Sequence, residues 1–394
     1  MNSTPDNYDF AILGGGAAGL SLALTLVRSP LGGKSILIVE KDAKDSNDRT
    51  WCFWTDKPSP FDGIAYHVWP RLRYLSPTLD RTSSLSPFRY VMLRGLDFYD
   101  HARAVLREHN VTFVHGSAEV TDGSDHVQIT IHTPTCNVIT CNALFAFDSR
   151  IRPEDMLPNP PRFNTLKQHF TGWEIETEAP IFDPHTVTMF DLCTAQRGGV
   201  TFFYTLPFGE RRALVEYTLF SPELLPAGEY EAALRAHLAD IGAGECRILA
   251  AERGVIPMTD QPFPRRLGRR ILAIGTRGGR VKPSTGYAFS RIQRDSEKVV
   301  ASLLKHGHPF SIPPDKLRRR LEDTIILDVL AREPDLGRPI LSALFARNPI
   351  QRVLRFLDDS TAWWEDLPIL ASHVPGPFIR AIARRSRTHI AKQN

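Results

Sequence analysis

The chain has 394 residues, of which 42% are hydrophobic and 23% charged, with a net charge of +4. That balance belongs to a folded globular protein and excludes a disordered one, and the length calls for two domains, side by side or interleaved. No uninterrupted apolar run reaches the roughly 18 residues that span a bilayer, and aromatic and basic residues do not interleave along a common face, which speaks against nucleic acid as a partner.

In chain order, the first element is an apolar strand, Tyr8-Asp-Phe-Ala-Ile-Leu13, that runs into Gly14, Gly16 and Gly19 at the spacing G-x-G-x-x-G. A helix over 17–27 follows, so Ala17 and Ala18 open a helix whose free N–H groups can face a pyrophosphate. Gly14 permits the tight turn, Gly16 lets the backbone approach the phosphates, and Gly19 lets helix and strand pack closely. A second strand over 36–40 ends in Glu40, where an acid accepts hydrogen bonds from a ribose hydroxyl. An acid there, with the fingerprint so near the N-terminus, favours FAD over NADP; the other reading is a Gly-rich turn of purely structural meaning. The first ten residues, MNSTPDNYDF, lack the basic and apolar segments of a signal peptide, so a cytoplasmic location is expected. The five cysteines, Cys52, Cys136, Cys141, Cys193 and Cys246, form neither a disulfide framework nor a C-x-x-C pattern and are read as reduced thiols.

An aromatic-rich, proline-bearing segment over 49–88 interrupts the regular alternation. A helix over 96–106, strands over 111–114 and 127–132, and an apolar run over 143–147 ending in Asp148-Ser-Arg150 return the sheet to the nucleotide. Residues 153–250 read as antiparallel strands, with 201–206 and 213–219 joined by a turn at 209–212. A strand over 270–275, a loop, and a helix to about 306 follow, and 316–371 is helical by apolar spacing, with Pro334, Pro339 and Pro349 at boundaries. The expected fold is α/β: a Rossmann-type FAD-binding domain (1–150 and 251–310) with an inserted antiparallel β-sheet substrate domain (151–250) and a helical C-terminal region (311–394). Within the last, 377–390 sets apolar residues 378, 379, 382 and 390 among four arginines. This suits either an amphipathic helix at an anionic membrane surface or a terminal helix docked on its own domain.

Two regions carry chemistry. The loop Gly275-Thr-Arg-Gly-Gly-Arg-Val-Lys-Pro-Ser-Thr-Gly-Tyr287 offers Gly275, Gly279, Pro283, Ser284, Thr285 and Gly286 between a buried strand and a helix. Its amides and the positive helix end can face a diphosphate or the N1–C2 carbonyl edge of a flavin, stabilising negative charge on the reduced ring. The second is Glu216, inside the apolar strand Leu214-Val-Glu-Tyr-Thr-Leu219. A carboxyl buried there must be paired, protonated or functional; at an ordinary value near 4.3 only about 1 in 500 would carry a proton at pH 7, so a proton donor needs the upward shift that burial supplies. Alternation puts Val215 and Tyr217 on one face and Glu216 and Thr218 on the other, either toward a site or toward solvent. Glu252 ranks second, to orient the site or pair with an arginine. Trp51, Phe53, Trp54 and Trp173 can stabilise a cation, line an apolar tunnel or fill the core. The 13 histidines form no spaced cluster, so no metal is expected.

The chain resembles the bacterial lycopene beta-cyclases. The resemblance rests on GGGAAG, Arg49-Thr-Trp-Cys-Phe-Trp54, Tyr90-Val-Met-Leu-Arg94, Phe147-Asp-Ser-Arg150, Phe170-Thr-Gly-Trp173, Phe203-Tyr-Thr-Leu-Pro207, Leu214-Val-Glu-Tyr-Thr218, Glu252-Arg-Gly-Val-Ile-Pro-Met258, Lys282-Pro-Ser-Thr-Gly-Tyr287, Phe356-Leu-Asp-Asp359 and Pro377-Phe378, in family order. It implies cyclisation of lycopene ends to beta-ionone rings without net redox change, with reduced FAD, NAD(P)H as reductant, and a peripheral position on the inner face of the cell membrane. It further implies cofactor contacts at Arg49, Arg94 and Asp148 and substrate contacts at Trp51, Trp54, Trp173 and Tyr217, with Glu216 and Glu252 catalytic. Two positions depart from the pattern: Tyr217 stands where some members carry a second acid, which weakens a two-carboxylate mechanism, and Cys193 stands where an arginine is common. The alternatives are a flavin monooxygenase on an apolar substrate, against which Thr276 speaks by replacing the usual aspartate, and a non-enzymatic flavin-binding scaffold.

Overall fold

The computed structural model describes residues 7–152 and 163–390. Residues 1–6, on which part of the signal-segment expectation rests, and the side chains of Arg387 and Ile390 lie outside that description. The first unit is β1 (Asn7–Leu13), α1 (Ala17–Val27) and β2 (Ile36–Glu40). The two strands pair in parallel from Phe10↔Ile36 to Leu13↔Val39, and their near-continuous apolar sequence is what a strand covered on both faces requires.

The aromatic-rich segment forms β3 (Thr50–Thr55), β4 (His67–Trp69), β5 (Arg71–Ser76), β6 (Leu79–Ser84) and β7 (Arg89–Arg94). Strands β3, β7 and β4 make a small sheet, while the β5–β6 hairpin leaves it for another. Next come α2 (Gly95–Leu106), β8 (Val111–His115), β9 (Ser117–Asp122), β10 (Val127–His132) and β11 (Val138–Asp148). They complete the nucleotide sheet in the order β8-β2-β1-β11-β10-β9.

The second large sheet is built from β12 (Thr165–Thr177), β13 (Thr186–Asp191), β14 (Val200–Pro207), β15 (Arg212–Ser221) and, after α3 (Ala227–Asp240), β16 (Cys246–Thr259), in the order β16-β12-β15-β14-β13-β5-β6. Its membership cuts across the divisions at 150 and 250, because β5–β6 comes from the first segment and β16 runs past 250. Helix α3 falls inside the stretch read as strands. Tyr230, Leu234 and Leu238, at helical spacing, cover the far face of this sheet against Trp173, Val215, Tyr217 and Leu219.

The chain then returns through β17 (Ile271–Ala273), which pairs with β11, to α4 (Phe289–His306). The C-terminal region is α5 (Leu317–Arg332), α6 (Gly337–Arg347), α7 (Ile350–Leu357), α8 (Trp363–Ala371) and α9 (Pro375–Ile390). Helix α9 is docked on its own domain: Arg380 pairs with Glu333, Arg384 with Asp328, and Arg385 with Asp260. Arg384 and Arg385 are thus turned to buried acids, while Arg380 meets Glu333 at the surface.

Candidate active site

Strand register assembles the site. Glu216 of β15 stands opposite Gly172 of β12, and Gly172 stands opposite Glu252 of β16; on the other side of β15, Tyr204 stands opposite Glu216. Neighbouring strands lie about 4.8 Å apart, so the two glutamates meet only by leaning over the central strand. Gly172 leaves the room: a Cβ there would come within 3.3 Å of Glu252 Cγ and 3.4 Å of Glu216 Cβ.

Each carboxyl has one oxygen committed. Thr218 Oγ1 donates to Glu216 Oε1 at 2.6 Å, and Thr50 Oγ1 donates to Glu252 Oε2 at 2.7 Å. What surface the two acids expose faces a cavity. Burial first, and the Glu252 charge second, push the Glu216 carboxyl well above the usual carboxylate range. Burial raises Glu252 as well, while Thr50 and the hydrogen bond from Glu216 pull it back. Two like charges in so dry a place cannot both form. Burial thus favours a proton on the pair, and the stronger upward push on Glu216 favours that carboxyl as its holder, directed at Glu252.

The cavity, of about 940 Å³, runs from Gly16, Ala17 and Ala18 past Arg49, Trp51 and Cys52 to the two glutamates. Its first end is suited to an anion. No side chain caps α1, which leaves its leading amides to a ligand, and a Cβ on Gly16 would meet nothing within 4 Å. Gly14 turns at φ +102°, and a Cβ on Gly19 would lie 2.0 Å from the Gly14 carbonyl oxygen. Glu40 braces this turn by accepting from Gly15 N at 2.6 Å. The cradle fits a dinucleotide. The other end is apolar and aromatic, with Phe170, Leu206, Leu214, Tyr90, Tyr204 and Tyr287 on its wall; burial pushes the hydroxyls of these three tyrosines upward, so they remain neutral.

Several expected residues stand elsewhere. The Asp148 carboxylate is fully buried and spent on Arg150 and Arg277, and Arg94 lies over the Tyr66 ring at 3.4 Å beside Glu174; neither lines the cavity. Trp54 is core, its Nε1 donating to Leu354 O at 3.0 Å. Trp173 and Tyr217 pack under α3 on the far face, because alternation sends them opposite to Glu216. In the glycine loop, Gly275 faces Ala18, where a Cβ would come within 2.6 Å, and Thr276, Gly286 and Tyr287 reach the cavity, whereas Gly279, Pro283, Ser284 and Thr285 do not line it. Ser284 Oγ donates to Asp323 at 2.6 Å, and Lys282 sits between Asp323 and Asp359, tying the loop to the C-terminal helices. Sequence reading assigns no role to Thr50, Gly172 or the three tyrosines, and places Thr218 only on the same face as Glu216. Only Gly172 carried a local signal, a glycine inside a long strand pattern, which marks close approach.

Residues 9–383 match the family model described as lycopene cyclase protein. The lycopene beta-cyclase of a Paracoccus species is 28% identical over 251 residues, covering 58% of this chain and 61% of that protein. The matched segments span between 18% and 61% of the curated relatives' own lengths. Among solved structures, a geranylgeranyl bacteriochlorophyll reductase-like protein from Thermoplasma acidophilum shares the fold with a TM-score of 0.67 at 13% identity, over 95% of this chain and 98% of that one. A flavoprotein/dehydrogenase from Cytophaga hutchinsonii does so with a TM-score of 0.62 at 14% identity, over 98% and 100%. The fold is thus that of the FAD-dependent oxidoreductase type, with a helical C-terminal region.

Proposed function

The chain belongs to the lycopene cyclase family, and from that premise we propose that it closes the acyclic ends of lycopene into beta-ionone rings, giving beta-carotene by acid–base chemistry with reduced FAD bound. The observation that carries the reading is the buried Glu216 carboxyl on the wall of the cavity, set across Gly172 from Glu252, where burial raises its hold on a proton. Glu216 gives its proton to a terminal alkene, and the resulting carbocation is attacked by a second alkene to form the ring. The negative charge newly formed on Glu216 is offset by the carbocation beside it, the one state in which both acids can be ionised. Repulsion between the two drives the pair to take a proton back from the ring. That loss sets the ring double bond and restores the donor, so the product is an isomer. The faces of Tyr204 and Tyr287 offer further cation stabilisation.

The glycine turn, the α1 amides and Glu40 would hold the dinucleotide, with Gly286 and Tyr287 nearer the ring. Reduced FAD would supply negative charge near the cation, with NAD(P)H as the reductant that brings it to that state. The test is anaerobic turnover with dithionite and no nicotinamide. The expected result is beta-carotene; no turnover under those conditions, with a parallel aerobic reaction that consumes one NADPH per oxygen incorporated, would establish the monooxygenase reading instead.

A hydrocarbon substrate resides in lipid, and no helix among the described residues is long and apolar enough to cross a membrane. The surface we assign to a bilayer is α8, not α9. Trp363, Leu367 and Leu370 stand at i, i+4 and i+7 on α8 and are 54–63% exposed, with Trp364 beside them at 61% and Val374, just past the helix, at 75%, while Asp366 and Ile369 on the other side are buried. An outward apolar face that begins with two tryptophans is the pattern of an interfacial helix. Replacing both Trp363 and Trp364 by Ser is expected to lower binding to anionic vesicles about tenfold or more with FAD affinity unchanged; unaltered vesicle binding would remove α8 from that role.

A further inference from the structure

The two glutamates receive their hydrogen bonds from different sheets. Thr218 lies two residues beyond Glu216 on β15, fully buried, and its Oγ1 donates to Glu216 Oε1 at 2.6 Å. Thr50 begins β3 in the small sheet, lines the cavity, and donates through Oγ1 to Glu252 Oε2 at 2.7 Å. A hydroxyl that donates to a carboxyl favours its ionised form, so the two threonines pull in opposite directions on a proton held by the pair. Unopposed, Thr218 would favour ionised Glu216 and leave the proton on Glu252. The other charged or titratable groups facing the pair are Arg49 and Cys52 beside Thr50, Glu174 on β12, Tyr90 on β7, Tyr204 on β14 and Tyr287 in the glycine loop. Burial keeps the Cys52 thiol and the three phenols neutral, while Arg49 and Glu174 act on Glu252 in opposite senses. The Thr50 hydroxyl is the direct contact left to set Glu252 apart.

We propose that Thr50 is a positioning residue: by donating to Glu252 it keeps that carboxyl the ionised member of the pair, and so leaves the transferable proton on Glu216. This rests on the cyclase reading above and gives the strand that follows Arg49 a part in choosing the acid.

The experiment compares pH–rate profiles of Thr50→Val and Thr50→Ser, loaded with reduced FAD and supplied with lycopene, beside thermal melts and FAD titrations. Valine keeps the shape of threonine without the donor, so melting temperature and FAD affinity should stay near parental. With Thr218 unopposed the proton moves to Glu252, and kcat should fall about tenfold or more, the size of a lost hydrogen bond to a charged group, with KM little changed. The lost bond stabilised the doubly ionised pair more than the form protonated on Glu252. The alkaline fall in activity should therefore move to higher pH, opposite to the shift expected of Glu252→Gln, and Thr50→Ser should restore both rate and profile. A role in packing alone would let water in, weaken the burial that raises Glu216, and move the fall to lower pH. Near-parental kcat in a folded Thr50→Val, or a profile that stays in place or moves to lower pH, overturns the proposal. Infrared difference spectra at neutral pH test it without that variant and without turnover: a protonated-carboxyl band of the parental protein should vanish in Glu216→Gln, where Thr50 keeps Glu252 ionised. A band unchanged in Glu216→Gln overturns the proposal. A parental protein that leaves lycopene unconverted refutes the cyclase reading instead, and the infrared comparison still decides which glutamate holds the proton.

Discussion

Glu216→Gln is expected to lower cyclisation about a thousandfold or more, the scale of a lost general acid with no substitute, while FAD affinity and melting temperature stay near parental. The amide keeps the shape of the acid. It can still accept from Thr218 and donate to Glu252, replacing the bonds the carboxyl makes, but it has no proton for an alkene. The pH dependence follows from the same burial. Glu216 is raised above its unfolded value, so the folded chain holds its proton through the range between that value and the folded one. Activity, and the stability the proton confers, should therefore be full on the acid side and fall as pH rises through the raised value. Glu252→Gln removes the neighbouring charge that helps hold Glu216 up. A smaller loss is expected, with the alkaline fall moved to lower pH. A pH–rate profile of each variant checks both statements.

The second large effect belongs to the glycine turn. Gly16→Val should abolish FAD binding, by at least about a hundredfold in affinity, without unfolding the protein. Gly16 has φ −84° and nothing within 4 Å of a Cβ, so valine is tolerated by the backbone and projects into the cavity at the amide end of α1, where a pyrophosphate would approach. The contrast is Gly19, where a Cβ would collide with the Gly14 carbonyl oxygen and loss of flavin would accompany loss of fold. Flavin occupancy after purification, beside a thermal melt, separates the two. Full occupancy in Gly16→Val would place the dinucleotide elsewhere.

What the sequence made legible was local. The strand–glycine–helix unit and Glu216 are readable because a turn geometry and a two-residue period act over few residues. The partnership of Glu216 with Glu252 is not, since it depends on which strands flank β12, and pairings so distant in the chain leave no mark in a local pattern. The aromatic assignments to Trp54, Trp173 and Tyr217 failed for a related reason. A large ring on a strand lines a site or a core according to what covers that face, and α3, whose Tyr230, Leu234 and Leu238 cover Trp173 and Tyr217, was read as strand. Arg94 and Asp148 show the limit for charge: both are engaged by internal ion pairs, which motif resemblance cannot distinguish from ligand contacts.

The measurement closest to the central claim is the mass of the product formed when the chain is expressed in lycopene-accumulating cells. Conversion by proton transfer predicts beta-carotene, identical in mass to lycopene. A product heavier by one oxygen, or unchanged lycopene with the flavoprotein present and folded, would contradict it.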